Sequence, residues 1–183
     1  MELDYTGKTV VVVGGTSGIN RGIALAFAQR GAKVAVASRS QTKVDDTVAA
    51  LLAAGASHAK GATFDVRDND AVIEGLNGFA QELGAFDVLV SGAAGNFPAL
   101  ASEMSVNAFK TVIDIDLMGT IHVMKAAYPH LKRPGASIIN ISALVSSGTS
   151  LLDAMSPDPF DTALSQAPGE RMLSVAKRLP SKV

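Results

Sequence analysis

Short apolar runs alternate with longer segments of helical period along most of this chain. Five runs have the length and composition of buried β-strands, at residues 8–14, 33–38, 59–64, 86–91 and 136–142. Four segments between them bring apolar residues back at every third or fourth position and predict helices, at residues 17 or 18 to 30, 41–54, 68–83 and 106–131. Strands that alternate with helices run parallel and connect by right-handed crossovers. We therefore predict an α/β fold with a doubly wound parallel sheet of about five strands in the order 3-2-1-4-5.

The composition limits both the number of domains and the classes of partner. The 183 residues, 48 % of them apolar and 18 % charged, suffice for one core. A formal charge of −1 with scattered Lys and Arg leaves no basic stripe, so we expect no nucleic acid. No apolar run reaches the roughly 18 residues of a membrane span, and the start Met1-Glu2-Leu3-Asp4 is unlike a signal peptide, so we expect no membrane partner and a cytoplasmic location. Without cysteine, and with three histidines that lack ligand spacing, no metal is expected.

The last forty residues break the alternation. A Ser/Gly-rich stretch at 146–150 is typical of a loop, and Pro157 and Pro159 exclude a helix or a central strand around them. Residues 169–179 predict one short, basic, amphipathic helix, and we predict no sixth strand. We therefore divide the chain into a nucleotide-binding domain at 1–145 and a loop with a short helix at 146–183.

A glycine cluster follows the first strand directly and opens the first helix, in the order Gly14-Gly15-Thr16-Ser17-Gly18-Ile19-Asn20. Glycine lets the backbone turn sharply and lets a diphosphate approach the helix N-terminus, where amide hydrogens favour an anion. This predicts dinucleotide contacts from Gly14, Thr16, Ser17, Gly18, Ile19 and Asn20. The alternative is a turn that only packs the helix on the strand. Asn20 replaces a third glycine, and because asparagine tolerates left-handed conformations we expect the turn to persist with weaker binding.

The end of the second strand indicates which cofactor is preferred. A cofactor with a free 2′-hydroxyl is usually met there by a carboxylate, whereas this chain reads Ala37-Ser38-Arg39-Ser40. A guanidinium matches phosphate oxygens bidentately, and Ser38 or Ser40 adds a hydroxyl donor, so we predict NADP(H). The alternative is a solvated surface arginine. The missing acid also argues against a methyltransferase, whose cofactor ribose favours a carboxylate.

After the third strand stands Asp65, followed by Val66. The carboxylate is predicted to accept from an adenine amino group, with Val66 packing beside it. Equally open is that Asp65 only caps the helix that begins near Asp68.

Four motifs together resemble the short-chain dehydrogenase/reductase family: Gly14-x-x-x-Gly18, Asp65-Val66, Ala93-Ala94-Gly95, and Asp116-Leu117-Met118-Gly119-Thr120. The likeness covers residues 7–142 nearly continuously and implies a Rossmann fold, with Ala93, Ala94 and Gly95 at the cofactor. Residues 93–97 and 109–116 are similar to the 2,4-dienoyl-CoA reductase branch and its bacterial relatives, which implies an acyl-CoA substrate.

The same resemblance implies catalytic residues. Ser142, at the end of the fifth strand, matches the family serine whose hydroxyl orients the substrate oxygen. The alternative is a serine that only ends the strand with a hydrogen bond. Asp116 stands where most members have a catalytic Asn and is similar to the peroxisomal dienoyl-CoA reductases; it is expected to hold a water or the acyl chain. The family also uses Tyr-x-x-x-Lys after its serine, where the cation lowers the tyrosine pKa. The only such spacing here, Tyr128 to Lys132, precedes the fifth strand, and we interpret it as a coincidence.

Beyond residue 150 the resemblance resumes at a later part of the family pattern. Residues 156–163 resemble the Ser-Pro-Gly-x-x-x-Thr loop, with Asp158 at the glycine position, and residues 172–183 resemble the substrate-covering helix. This implies that the Tyr–Lys segment is absent between about residues 149 and 156, as in an internally shortened and C-terminally truncated reductase.

Two functional hypotheses follow. The first is an NADP(H)-dependent oxidoreductase acting on an enoyl-CoA, dienoyl-CoA or carbonyl substrate. The second is a dinucleotide-binding module without turnover, or a truncated and inactive reductase fragment. The resemblance also implies that the helix at 106–131 pairs with a second copy of the chain, because family members often dimerise there.

Overall fold

A computed structural model describes residues 3–95, 103–142 and the pair 177–178. One sheet contains the strands β1 (Thr9–Val13), β2 (Lys33–Ser38), β3 (His58–Thr63), β4 (Val88–Ser91), β5 (Ser137–Asn140) and β6 (Lys177–Arg178). Their spatial order is β3-β2-β1-β4-β5-β6. The pairings among the first five strands are all parallel, which confirms the predicted order and the doubly wound architecture.

Helices cover both faces of the sheet. They are α1 (Gly18–Ala28), α2 (Gln41–Ala53), α3 (Asn69–Leu83), α4 (Val106–Val112) and α5 (Gly119–Ala127), with a π-helical segment at Ile113–Met118 and a 3-10 turn at Tyr128–His130. The predicted ends of α1 to α3 differ by at most two residues from the observed ones, since Gly, Ser and Asp mark those ends in the sequence.

The side chains of β1 alternate between the two faces of the sheet, and each face has its own half of the core. Val11 and Val13 pack against the side of α3 and α5, whereas Val10 and Val12 pack against α1 and α2. Every residue of β1 is buried, because helices cover both of its faces. The valine run therefore forms the centre of the fold and places the end of β1 in the middle of one sheet edge.

The C-terminal prediction is wrong at two positions. Lys177 and Arg178 form β6, which pairs antiparallel with β5, whereas the sequence predicted a helix at 169–179 and no sixth strand. The outer edge of β5 offers backbone groups that β4 does not pair, and pairing with an extended segment there overrides a short helical pattern. The rest of the predicted loop and helix, and the expected junction at 149–156, lie outside the described residues.

The predicted continuous helix at 106–131 is also wrong in its interior. The chain widens into a π-helical turn at Ile113–Met118 before α5 begins at Gly119. A Cβ on Gly119 would lie 2.5 Å from Val66 Cγ2, so the helix backbone approaches the end of β3 closely there. Apolar period alone does not reveal such a turn, because the same face remains buried on either side of it.

At the edge of the sheet where the parallel strands begin, Asp87 joins three elements. Its Oδ2 accepts from the Thr9 amide at 3.0 Å, and its Oδ1 lies 3.3 Å from Lys8 Nζ and 3.0 Å from Lys132 Nζ. Burial raises the pKa of Asp87, but the Thr9 amide and the two ammonium groups outweigh it and leave that pKa below its usual value. The ionised carboxylate is therefore part of the folded state.

Asp87→Asn is expected to lower the free energy of unfolding by about 1.5–3 kcal/mol at pH 7, the scale of hydrogen bonds to a charged group. A lowered folded-state pKa contributes stability that is present above the unfolded pKa of about 3.9 and is lost as pH falls through the folded pKa. Urea unfolding at pH 7 and pH 3 should therefore show the difference shrinking at pH 3. Asp45→Asn, on the exposed face of α2, is the matched control. An equal deficit at both pH values would contradict a role for the charge.

Among the described residues, none of the helices has the length and apolar character needed to cross a membrane.

Candidate functional site

A cleft of about 570 Å³ opens at the edge where the parallel strands end. Its size falls within the range of small-molecule sites. All the predicted cofactor contacts except Gly95 line this cleft, so one site collects residues that are far apart in the chain. Ser40, predicted as the alternative hydroxyl donor to Ser38, also lines it, and the lining residues that the sequence did not predict are Val13, Ala37, Lys43, Phe64, Gly92 and Ile141.

The glycine turn (residues 14–18) is held against two neighbouring strand ends. Gly14 has a φ of +78° and donates its N–H to the Ala37 carbonyl at 2.8 Å. A Cβ at this position would lie 2.8 Å from the Ala93 nitrogen and 2.9 Å from the Gly92 carbonyl carbon. Both the left-handed backbone and the close approach therefore require glycine at Gly14.

The N-terminus of α1 differs from those of the next three helices. Its N-cap residue, Ser17, makes no side-chain capping bond, whereas Ser40, Asp68 and Ser105 each accept from an amide of the helix that they begin. The first amides of a helix have no partner within the helix. In α1 they face the cleft without a side-chain acceptor, beside the glycine turn, which is the arrangement that binds phosphate groups.

Asn20 does not adopt the left-handed conformation that the sequence allowed. It lies inside α1, and the described part of the chain contains no positive φ outside glycine. Its Nδ2 instead donates to the Gly92 carbonyl at 2.7 Å. The side chain thus joins α1 to the β4 loop (residues 92–95), which explains how the turn persists without a third glycine.

Two cations line the part of the cleft next to the end of β2. Arg39 follows β2 directly, and Lys43 lies in the first turn of α2; both are exposed. Within the described ranges, neither forms a salt bridge with a carboxylate. The Ser38 and Ser40 oxygens accept local backbone N–H groups, at 3.4 Å and 3.5 Å. Lys43 was missed because its position in the cleft depends on the turn from strand to helix. Residue type and spacing across such a turn carry no signal that could have found it.

Asp65 lies in the cleft and pairs with Arg67. Arg67 Nε lies 3.0 Å from Asp65 Oδ1 and Nη2 lies 2.6 Å from Oδ2, a bidentate pair. The hydrogen bond from Arg67 lowers the pKa of Asp65, so this carboxylate is ionised at neutral pH. The alternative that Asp65 caps α3 is wrong, because Asp68 is the residue whose side chain caps that helix.

The two predicted catalytic residues lie outside the cleft lining. Asp116 lies in the π-helical segment, and its Oδ1 accepts the Gly95 N–H at 2.7 Å. Gly95 therefore contacts the acid instead of lining the cleft. Ser142 is exposed just beyond β5, adjacent to the cleft residue Ile141. Their roles in catalysis stay predictions.

The Tyr128 and Lys132 spacing does not form a site at the cleft. Lys132 pairs with Asp87 at the edge where the strands begin, opposite the cleft. Tyr128 is exposed, and the Arg133 guanidinium stacks 4.1 Å from its ring centroid. These contacts are consistent with interpreting this spacing as a coincidence.

Comparisons with known proteins point to one family. A family model described as short chain dehydrogenase matches residues 8–152. The peroxisomal 2,4-dienoyl-CoA reductase of Arabidopsis thaliana is 39 % identical over 146 residues, covering 75 % of this chain and 49 % of the plant protein. The corresponding reductase of Rattus norvegicus is 39 % identical over 140 residues, covering 76 % and 48 %.

The fold is also similar to that of solved structures. The 2-keto-3-deoxy-D-gluconate dehydrogenase of Streptococcus agalactiae matches with a TM-score of 0.68 at 33 % identity, over 84 % of this chain and 58 % of that one. The chain spans about half the length of the curated relatives that it matches.

Proposed function

The chain belongs to the short-chain dehydrogenase family, and from that premise we propose that its cleft binds NADP(H) in an oxidoreductase of the 2,4-dienoyl-CoA reductase type. The proposal rests above all on the N-terminus of α1, which presents uncapped amides to the cleft beside a glycine turn. That arrangement suits the diphosphate that every nicotinamide dinucleotide carries.

The preference for the phosphorylated cofactor is supported by the charges at the end of β2. Arg39 and Lys43 place two cations where the adenosine ribose lies in doubly wound folds, and the ribose-binding acid is absent. A guanidinium and an ammonium together offer a 2′-phosphate both bidentate hydrogen bonds and a point charge. Arg67 bonds both oxygens of Asp65 and so partly neutralises the carboxylate that we propose accepts from the adenine amino group.

In this proposal, different residues along the cleft bind different parts of the cofactor and the substrate. When bound, the nicotinamide supplies a hydride to the substrate. The α1 amides hold the diphosphate, Arg39 and Lys43 hold the 2′-phosphate, and the β4 loop forms a wall of the cleft. Ser142 orients the substrate oxygen, and Asp116 holds the Gly95 amide with one oxygen, leaving the other to hold a water or the acyl chain.

The substrate class and the assembly are proposed from the named relatives and from the exposed surface of the chain. Relatives named peroxisomal 2,4-dienoyl-CoA reductase support an acyl-CoA thioester. Cytoplasmic location stays a prediction, as that name indicates another compartment. The predicted pairing through residues 106–131 is supported by exposed apolar side chains on α4, the π-helical segment and α5, among them Val106 at 83 % and Phe109 at 58 % exposure.

One observation favours the second candidate, a binding module without turnover. The chain has two tyrosines, and neither lies at the cleft. Tyr5 packs edge-on against Phe27, with ring centroids 4.8 Å apart, and Tyr128 lies near the opposite edge of the sheet. Loss of a proton-transfer group costs on the order of 10²- to 10⁴-fold in rate, so an enzyme built on this chain needs another acid or water.

Thermal unfolding with and without NADPH tests the proposed site, and NADPH consumption then separates the two candidates. At about 100 times the dissociation constant, the ligand should add roughly 2.7 kcal/mol, which for a domain of this size raises Tm by roughly 5–10 °C. Fluorescence or absorbance of NADPH should then fall when a trans-2,trans-4-dienoyl-CoA is added. An unchanged Tm would contradict the binding proposal. A raised Tm with no loss of the NADPH signal after the dienoyl-CoA is added would favour the binding module without turnover.

A further inference from the structure

We infer that Asn20 and Gly92 form a complementary pair that sets the position of the β4 loop, and that Asn20 is therefore a positioning residue for the nicotinamide half of the cofactor. The inference rests on the proposed dinucleotide site. It concerns Asn20, which stands where the glycine cluster would have its third glycine and which makes the contact between helix and strand.

The contact between the two residues is close and specific. Asn20 Nδ2 donates to the Gly92 carbonyl at 2.7 Å. A Cβ added to Gly92 would lie 2.3 Å, 2.5 Å and 2.6 Å from the Nδ2, Oδ1 and Cγ atoms of Asn20. The carboxamide therefore occupies the space that any side chain at Gly92 would need.

The pair inverts the usual arrangement of small and large residues. In the dinucleotide fingerprint, the third glycine lies on the helix and lets helix and strand pack closely. Here the helix carries Asn20, and the glycine lies at the end of β4 instead. Gly92 does not have a left-handed φ, so the contact with Asn20, and not backbone conformation, is what excludes a larger residue there.

The unpaired oxygen of Asn20 supports a role beyond stability. Among the described residues, Asn20 Oδ1 is buried and has no hydrogen-bond partner. Burying an unpaired acceptor is unfavourable, and such groups call for an explanation. The geometry supplies one explanation: Asn20 holds the Gly92 carbonyl in place through Nδ2, even though its Oδ1 stays unpaired.

The position of Gly92 controls one part of the cleft only. Gly92, Ala93 and Ala94 line the cleft, and the near end of this loop touches the glycine turn at Gly14. The far end is fixed separately, where Asp116 accepts the Gly95 amide. The end of the cleft at Arg39 belongs to other strands. A shift of the β4 loop should therefore weaken binding of the nicotinamide half and spare the adenosine half.

Four full-length proteins test the pair: wild type, Asn20→Ala, Gly92→Ala and the double variant. Alanine keeps α1 helical and removes all three atoms that approach Gly92. Binding is measured with two probes, NADPH and adenosine 2′-monophosphate, which carries only the adenosine ribose and its phosphate. We expect Asn20→Ala to weaken NADPH three- to tenfold and Gly92→Ala to weaken it more, because its Cβ displaces the Asn20 carboxamide and leaves both the carboxamide and the Gly92 carbonyl without their bond. The double variant should recover to the level of Asn20→Ala, and adenosine 2′-monophosphate should stay within twofold throughout.

The outcomes separate this inference from the proposed function. If wild type binds neither probe, the proposed function is wrong, and the inference, which rests on it, is wrong as well. Normal wild-type binding with additive losses in the double variant, or equal losses for both probes, would overturn the role of the pair alone. Should Gly92→Ala not fold, Asn20→Ala decides by itself: NADPH affinity within twofold of wild type, or tighter, would refute the inference.

Discussion

Gly14→Ala is expected to weaken NADPH binding by about 100-fold or more, equivalent to ~2.7 kcal/mol. Gly14 adopts a φ of +78°, and a left-handed conformation costs an L-residue about 1–2 kcal/mol. The added Cβ would also lie 2.8 Å from the Ala93 nitrogen, so the glycine turn and the β4 loop must separate. Movement of the glycine turn displaces the amides that are proposed to hold the diphosphate. Titration of NADPH fluorescence, with the unfolding midpoint as a second measurement, gives the size of the loss.

Gly22→Ala is the matched control for that variant. Gly22 lies within α1, has no left-handed φ, and a Cβ there would meet nothing within 4 Å. Alanine is the better helix former by roughly 0.5–1 kcal/mol, so this variant should be as stable as wild type or more stable, with unchanged affinity. Equal affinity losses at Gly14 and Gly22 would show that the glycine turn is not the phosphate site.

Arg39→Asp is expected to change cofactor preference by about two orders of magnitude. Removing a bidentate charge-assisted pair costs about 1.5–3 kcal/mol, and the new carboxylate repels a 2′-phosphate as well. NADPH should therefore weaken about 100-fold, whereas NADH, which has no 2′-phosphate, should stay within about threefold. Lys43→Ala should produce a smaller change of the same kind, roughly three- to tenfold, because an ammonium acts as a point charge without a planar fork. Dissociation constants for both cofactors at one ionic strength provide the measurement.

The control for charge reversal is Arg30→Asp. Arg30 lies past the other end of α1, exposed, with its guanidinium bonded to the Ala26 carbonyl at 2.6 Å. The net charge of the chain changes by the same amount, so any general electrostatic effect appears in both variants. Equal losses of NADPH and NADH in Arg39→Asp would mean that Arg39 does not contact the 2′-phosphate.

Most of the residues that line the cleft were predicted from the sequence, because they come just after the end of a strand. Gly14, Arg39 and Asp65 stand just after β1, β2 and β3, and parallel pairing brings those three ends together without further information. Lys43 was missed because it reaches the cleft only through the way that the turn from β2 to α2 packs, which residue type and spacing do not encode. Gly92 directly follows β4, and what the sequence does not encode there is its contact with Asn20.

Two interpretations were corrected by contacts between elements distant in the chain. Asn20 was expected to tolerate a left-handed turn, but it lies inside α1 and its side chain bonds to Gly92, 72 residues away. Likewise, the helix after β4 was expected to be continuous, but Asp116 lies in a π-helical turn where it reaches Gly95. The spacing of apolar residues indicates which face of a helix is buried, but it does not indicate where one turn contains an extra residue.

By itself the sequence determined the sheet, its strand order and the edge at which a ligand binds, since apolar period, helix caps and right-handed crossovers are local or topological constraints. Tertiary structure alone decided which residues meet across that edge: the Asn20 and Gly92 pair, the bond from the Gly95 N–H to Asp116, and the place of Lys43 in the cleft lining together with Arg39. The physical reason is that such contacts depend on sub-ångström packing between elements, and many sequences with the same pattern of apolar and polar residues could pack there differently.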